Sequence, residues 1–182
     1  MNAIIIYWSQ TGNTEKVAKS IHEGLKDAGA EVSIYRVEDA GDIDFFDYGL
    51  VCIGFPSHFW SPAKPMEEFL RSRFSAYRKQ GQVKWGAPTR PGKNVLIFCT
   101  YSGPHTGIRE AKPAGLHAGQ FFEHLGFTVV DEWYIVGEFH GREEASTQGR
   151  LGDIRGLPNE EDLKKVKGDA TRLGESLLTG KT

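Results

Sequence analysis

Ala3-Ile4-Ile5-Ile6-Tyr7-Trp8, followed without a break by Ser9-Gln10-Thr11-Gly12-Asn13-Thr14, is the stretch that decides the fold. The first half is an unbroken apolar run of strand length, which suits a strand covered on both faces. The second half replaces it with small hydroxyl and amide side chains around one glycine, and a helical pattern begins at once. Free backbone N–H groups and the helix dipole at such a junction attract a phosphate. No lysine stands in Ser9–Thr14, and the G-x-x-x-x-G-K-[ST] pattern of nucleoside triphosphatases is absent. The loop therefore suits one terminal monophosphate held by neutral donors. Ser, Thr and Asn also cap helices with no ligand present, so the neighbouring segments must decide between the two readings.

Working outward, Val17, Ala18, Ile21, Leu25 and Ala28 recur at helical spacing opposite Glu15, Lys16, Lys19, Glu23 and Lys26. They predict an amphipathic helix over 13–28 that Gly29 ends. Glu31–Val37 alternates polar and apolar, as an edge strand does. Gly49–Gly54 and Val95–Cys99 are further continuous apolar runs, read as central parallel strands. The first empties into the aromatic, proline-bounded Phe55–Pro62, the second into Thr100–Gly107, rich in glycine and hydroxyls. Pro65 opens a helix with Met66, Phe69, Leu70 and Phe74 inward, and a helix over 113–125 turns Phe121, Phe122 and Leu125 inward. A fifth strand spans 127–136, broken or extended around Asp131-Glu132. A closing helix carries Leu163, Val166, Ala170, Leu173 and Leu177.

Composition narrows the function classes. The chain has 182 residues, 39% of them hydrophobic, and a formal net charge of −2, which suits one folded domain over 1–182 and gives no electrostatic case for nucleic acid. No apolar run is long enough to span a membrane. The start of the sequence carries no basic, cleavable leader, so a cytoplasmic location is expected. Cys52 and Cys99 sit inside apolar runs and read as small buried hydrophobes. There is no His/Cys spacing for a metal and no Ser–His–Asp motif, so no metal ligand and no catalytic side chain is assigned.

Strands alternating with helices imply right-handed βαβ crossovers with helices on both faces. The expected fold is α/β: a doubly wound, five-stranded parallel sheet of order 2-1-3-4-5 in three α/β/α layers. In that order, ligands bind beyond the C-terminal ends of strands 1 and 3. The loops Ser9–Thr14, Phe55–Pro62 and Thr100–Gly107 all fall there.

On Tyr7-Trp8-Ser9-Gln10-Thr11-Gly12-Asn13-Thr14, which matches a strand followed by [ST]-x-T-G-N-T, the chain resembles the flavodoxin family. The likeness covers 2–136 and the last helix. Gly54-Phe55-Pro56-Ser57-His58-Phe59 is similar to the quinone-reductase branch more than to the short electron carriers. The resemblance implies FMN as cofactor, with its phosphate on Ser9, Thr11, Gly12, Asn13 and Thr14. It implies a ring between the second and third loops, with Pro56, Ser57, His58, Phe59 and Trp60 on one side. Thr100, Tyr101, Ser102, Gly103 and His105 would stand on the other, the backbone of Thr100, Ser102 and Gly103 meeting the pyrimidine edge.

The implied function is an FMN-dependent oxidoreductase passing reducing equivalents from NAD(P)H or a partner protein to a quinone-like or protein acceptor. The alternatives are a pure electron shuttle between partner proteins and a flavin-free domain keeping only the fold. Phe55–Lys64 and Thr100–Arg109 contain no Asp or Glu. That should make the second reduction potential less negative than in the family's acid-lined carriers. Two excursions fall outside the pattern, at 78–94 and 137–159. Trp85 in the first suits packing against a neighbour, a second copy of the chain included. Arg142, Arg150 and Arg155 in the second suit covering the flavin edge, an anionic ligand or a partner; a solvated loop of balanced charge is the plainer reading.

Overall fold

The computed structural model describes residues 1–180; residues 181 and 182, the end of the 1–182 domain expected from the sequence, lie outside the described residues. In chain order the elements are β1 (Asn2–Tyr7), α1 (Asn13–Asp27), β2 (Glu31–Arg36), β3 (Leu50–His58) and β4 (Ser61–Pro62). There follow α2 (Lys64–Lys79), β5 (Asn94–Tyr101), α3 (Lys112–His124), β6 (Thr128–Val136), α4 (Glu143–Thr147) and α5 (Glu160–Thr179).

The long strands pair in the order β2-β1-β3-β5-β6, all parallel, and the two-residue β4 folds back antiparallel on β3. Counted without β4, this is the order 2-1-3-4-5 expected from the strand–helix rhythm. Ile4, Ile5 and Ile6 are each fully buried because a doubly wound sheet covers both faces of its central strands. Each such side chain contributes about 1.5–3 kcal/mol relative to an exposed one. Alternate residues along β1 and β3 feed two apolar clusters. Ile5 and Cys52 pack with Val17, Ile21 and Leu25 of α1 and Val166 and Ala170 of α5. Ile4, Ile6, Val51 and Ile53 pack with Met66 and Leu70 of α2 and Ala118 and Phe122 of α3. The result is three layers. No helix among the described residues is long and apolar enough to cross a membrane.

Two details differ from the periodicity. On α2, Phe69 and Phe74 are half-buried, and Arg73 and Tyr77 lie deeper. The Tyr77 hydroxyl donates to Asp44 Oδ1 (3.0 Å) and accepts the Phe45 amide (2.7 Å), while burial pushes its pKa up to about 12. A polar tip thus lets an aromatic residue serve core and turn together. Of the two readings at Asp131-Glu132, broken or extended, the strand is extended, with a bulge that periodicity does not show: Val95 faces Val129 and Leu96 faces Asp131, leaving Val130 extra.

Candidate functional site

The phosphate-loop reading rests on β1 ending against α1 with one residue of turn geometry that only glycine enters easily. Gly12, at φ +97°, directs its amide to Ser9 Oγ (3.1 Å) and its carbonyl to the Lys16 amide (2.9 Å). The amides of Asn13, Thr14 and Glu15, in the first turn of α1, then have no partner inside the helix. The side chains divide differently from the sequence expectation. Ser9 is committed to Gly12, Asn13 Nδ2 donates to the Glu138 carbonyl (3.0 Å), and the Thr14 and Thr100 hydroxyls bond each other at 2.8 Å. Ser9, Asn13, Thr14 and Thr100 are all short and buried, where unmet polar groups are costly, so they brace neighbouring loops. Thr11 and Gln10 are exposed, and they and the helix-start amides remain for a ligand.

The second loop is a tight hairpin in which Ser57 pairs with Pro62 and His58 with Ser61. Its two turn residues are Phe59 and Trp60, at φ +48° and +64°. Positive φ at both centres is the type I′ signature, normally met by Asn-Gly, and costs roughly 1–2 kcal/mol per bulky residue. Both side chains project outward, Phe59 91% and Trp60 60% exposed. Ser57 Oγ donates to the Glu110 carbonyl (2.5 Å), tying this loop to the third. His58 stands edge-on to Trp8 with ring centroids 5.7 Å apart, and the loss of water on that side lowers its pKa.

The third loop is held from two directions. Ser102 Oγ donates to the Gly137 carbonyl (2.7 Å), and Glu110 Oε1 accepts the His105 and Thr106 amides at 2.8 and 2.5 Å. Burial raises the Tyr101 phenol. Cys52 and Cys99 are buried free thiols whose pKa values burial raises, so neither is poised to react.

Between the loops lies a cavity of about 820 Å³. Every residue assigned to the site from sequence lines it except Gly12, whose part is to shape the loop behind the wall. The segment after β6 builds a further wall, with Phe139, His140, Arg142 and Gln148 on it. This segment is pinned rather than loose: Gly137 N–H donates to Tyr101 O (2.9 Å) and Arg150 N–H to Pro104 O (2.8 Å). Glu110, Glu138 and Glu144 also line the cavity, so the acid-free stretches seen in the second and third loops do not describe the whole wall. Glu110 falls one residue beyond the second of those stretches. Glu138 and Glu144 come from a segment without periodicity, and no sequence signal placed them here.

The donor set fits a flavin mononucleotide. Helix-start amides and Thr11 suit a phosphate at one end, and exposed aromatic faces suit a flat ring at the other.

The comparisons with known proteins bear on the family and the fold. Residues 5–87 match the sequence model of the flavodoxin family. The chain is 26% identical to an NAD(P)H dehydrogenase (quinone) of Archaeoglobus fulgidus, over 94% of this chain and 95% of that protein. It is 42% identical to the flavodoxin of Megasphaera elsdenii over a shorter span, 53% of this chain and 63% of that one. Among solved structures, a Streptococcus pneumonia TIGR4 flavodoxin superposes with a TM-score of 0.66 at 16% identity, covering 99% of each chain. In sequence and in fold the chain is flavodoxin-like.

Proposed function

We propose that this flavodoxin-like chain holds FMN without a covalent link and passes reducing equivalents from NAD(P)H or a partner protein to a quinone-like or protein acceptor. The observation that carries this is the convergence of the three strand-end loops on one cavity, with a helix N-terminus and exposed aromatics together in its wall. The relatives named as quinone dehydrogenases, matched over nearly their whole length, support the enzyme reading.

When bound, the flavin supplies the redox chemistry. The residues of the chain position it. The amides of Asn13, Thr14 and Glu15 and the Thr11 hydroxyl hold the phosphate; Ser9, Asn13 and Thr14 keep that loop in shape. Phe59, Trp60 and Tyr101 offer ring faces, with Pro56, Ser57 and His58 beside them, and Thr100, Ser102, Gly103 and His105 bound the opposite edge. Loss of water lowers the His58 pKa and so favours its neutral ring, which can donate or accept one hydrogen bond there. The segment after β6 adds Phe139, His140, Arg142 and Gln148 to the wall, side chains that a small-molecule acceptor could meet.

The visible spectrum of the purified protein, with mass identification of any released flavin, tests the cofactor. Steady NAD(P)H turnover with a quinone then tests the enzyme. A colourless protein that does not bind added FMN overturns the reading. A yellow protein that exchanges electrons with a reductase but turns over no quinone leaves the shuttle.

A further inference from the structure

The segment after β6 carries three arginines that could meet an anion, and the structure separates them. Arg155 is taken: its guanidinium pairs with Asp153 (2.6 Å) and Glu143 (3.5 Å). Arg150 lies outside the cavity wall, with its backbone tied to Pro104. Arg142 lines the cavity, is exposed, and has no carboxylate within ion-pairing distance among the described residues. Among the described residues it is the only Lys or Arg in that wall.

The chain leading to Arg142 is fastened to the phosphate loop. Asn13 Nδ2 donates to the Glu138 carbonyl (3.0 Å), and Gly137 lies so close that a Cβ there would stand 2.8 Å from the same Nδ2. The Asn13 side chain and the start of this wall are therefore in direct contact. Glu110 and Glu138 spend carboxylate oxygens on the His105, Thr106 and Gly156 amides, whereas the Arg142 guanidinium, on the wall joined to the Ser9–Thr14 loop, has no carboxylate partner among the described residues. Its planar fork suits phosphate oxygens.

We propose that Arg142 is a phosphate-binding residue, acting with the α1 N-terminus on the same monophosphate. The proposal rests on the flavin reading above, and the experiment keeps the two apart. Fluorescence titrations would compare FMN with riboflavin, which lacks the phosphate, on the full chain freed of flavin and on Arg142→Gln and Arg142→Lys. Arg142→Gln should bind FMN about 10- to 100-fold more weakly, the worth of one charge-assisted hydrogen bond. Its riboflavin affinity and melting temperature should stay at the wild-type values, and Arg142→Lys should recover part of the loss. Unchanged FMN affinity in Arg142→Gln, or an equal loss for both flavins, overturns the proposal. So does an unchanged flavin response with a raised KM for NADPH alone, which would move Arg142 to the phosphate of the donor. A wild-type chain that binds neither flavin refutes the parent reading instead.

Discussion

The loop Ser9–Thr14 reaches the cavity with its own hydrogen bonds already made, whereas the β3–β4 turn reaches it under strain. In the first, Ser9, Gly12, Asn13 and Thr14 all have partners within the chain, and Gly12 occupies a left-handed position that suits it. In the second, Phe59 and Trp60 occupy left-handed positions that suit neither and expose their rings to water. The difference is informative because strain of that kind persists only when something else maintains it. The Ser9–Thr14 loop is held by its own hydrogen bonds, and on the reading proposed above a phosphate would meet a finished socket. The aromatic turn trades stability for two ring faces held over the cleft.

The largest effect that could break this contrast comes from adding a charge to the finished socket. Thr11→Asp should lower FMN affinity by about 100-fold or more through repulsion at close range, with no change in melting temperature because Thr11 is exposed. Titration of FMN fluorescence checks it; a yellow protein of unchanged affinity would show that the socket is elsewhere. Thr14 is the wrong place for that test, since its buried hydroxyl is bonded to Thr100.

Thr14→Val instead probes the bracing. It should cost roughly 1–3 kcal/mol by leaving the Thr100 hydroxyl without a partner, read as a lower denaturation midpoint. An unchanged midpoint would mean that the loop is not braced as described. In the turn, the paired change Phe59→Asn with Trp60→Gly should act in the opposite direction, stabilising the protein by about 1–2 kcal/mol while weakening flavin or acceptor binding. A double variant that is less stable would show that the aromatics support the fold, and the contrast would collapse.

The smallest effect is that of His58. Its folded pKa lies below the unfolded value of 6.5, so between the two the unfolded chain binds more protons. Stability should therefore fall slightly as pH drops from 6.5 through that window, and His58→Gln should flatten the slope. Denaturation midpoints between pH 5 and 7 would show it.

Much of the molecule could be read along the chain. Ile4–Ile6, Leu50–Ile53 and Val95–Cys99 are continuous apolar runs because both faces of those strands are covered, and the helices between them follow from spacing. From these runs the strand order and the edge where the loops gather could be argued. Other parts were not legible. That Asn13 holds Glu138, across 125 positions of sequence, depends on two backbones meeting in space. That Phe59 and Trp60 adopt positive φ contradicts their local preference and is imposed by the return of β4 onto β3.

The sequence by itself determined the parallel sheet, the glycine turn at Gly12 and the three loops, because burial periodicity and turn chemistry are properties of neighbouring residues. Only the tertiary structure decided which polar side chains remain for a ligand, which carboxylates share the cavity, and which of three arginines stands unpaired in its wall. Those outcomes depend on what packs opposite each group, and hydrogen bonds and ion pairs are made with whatever partner the fold delivers.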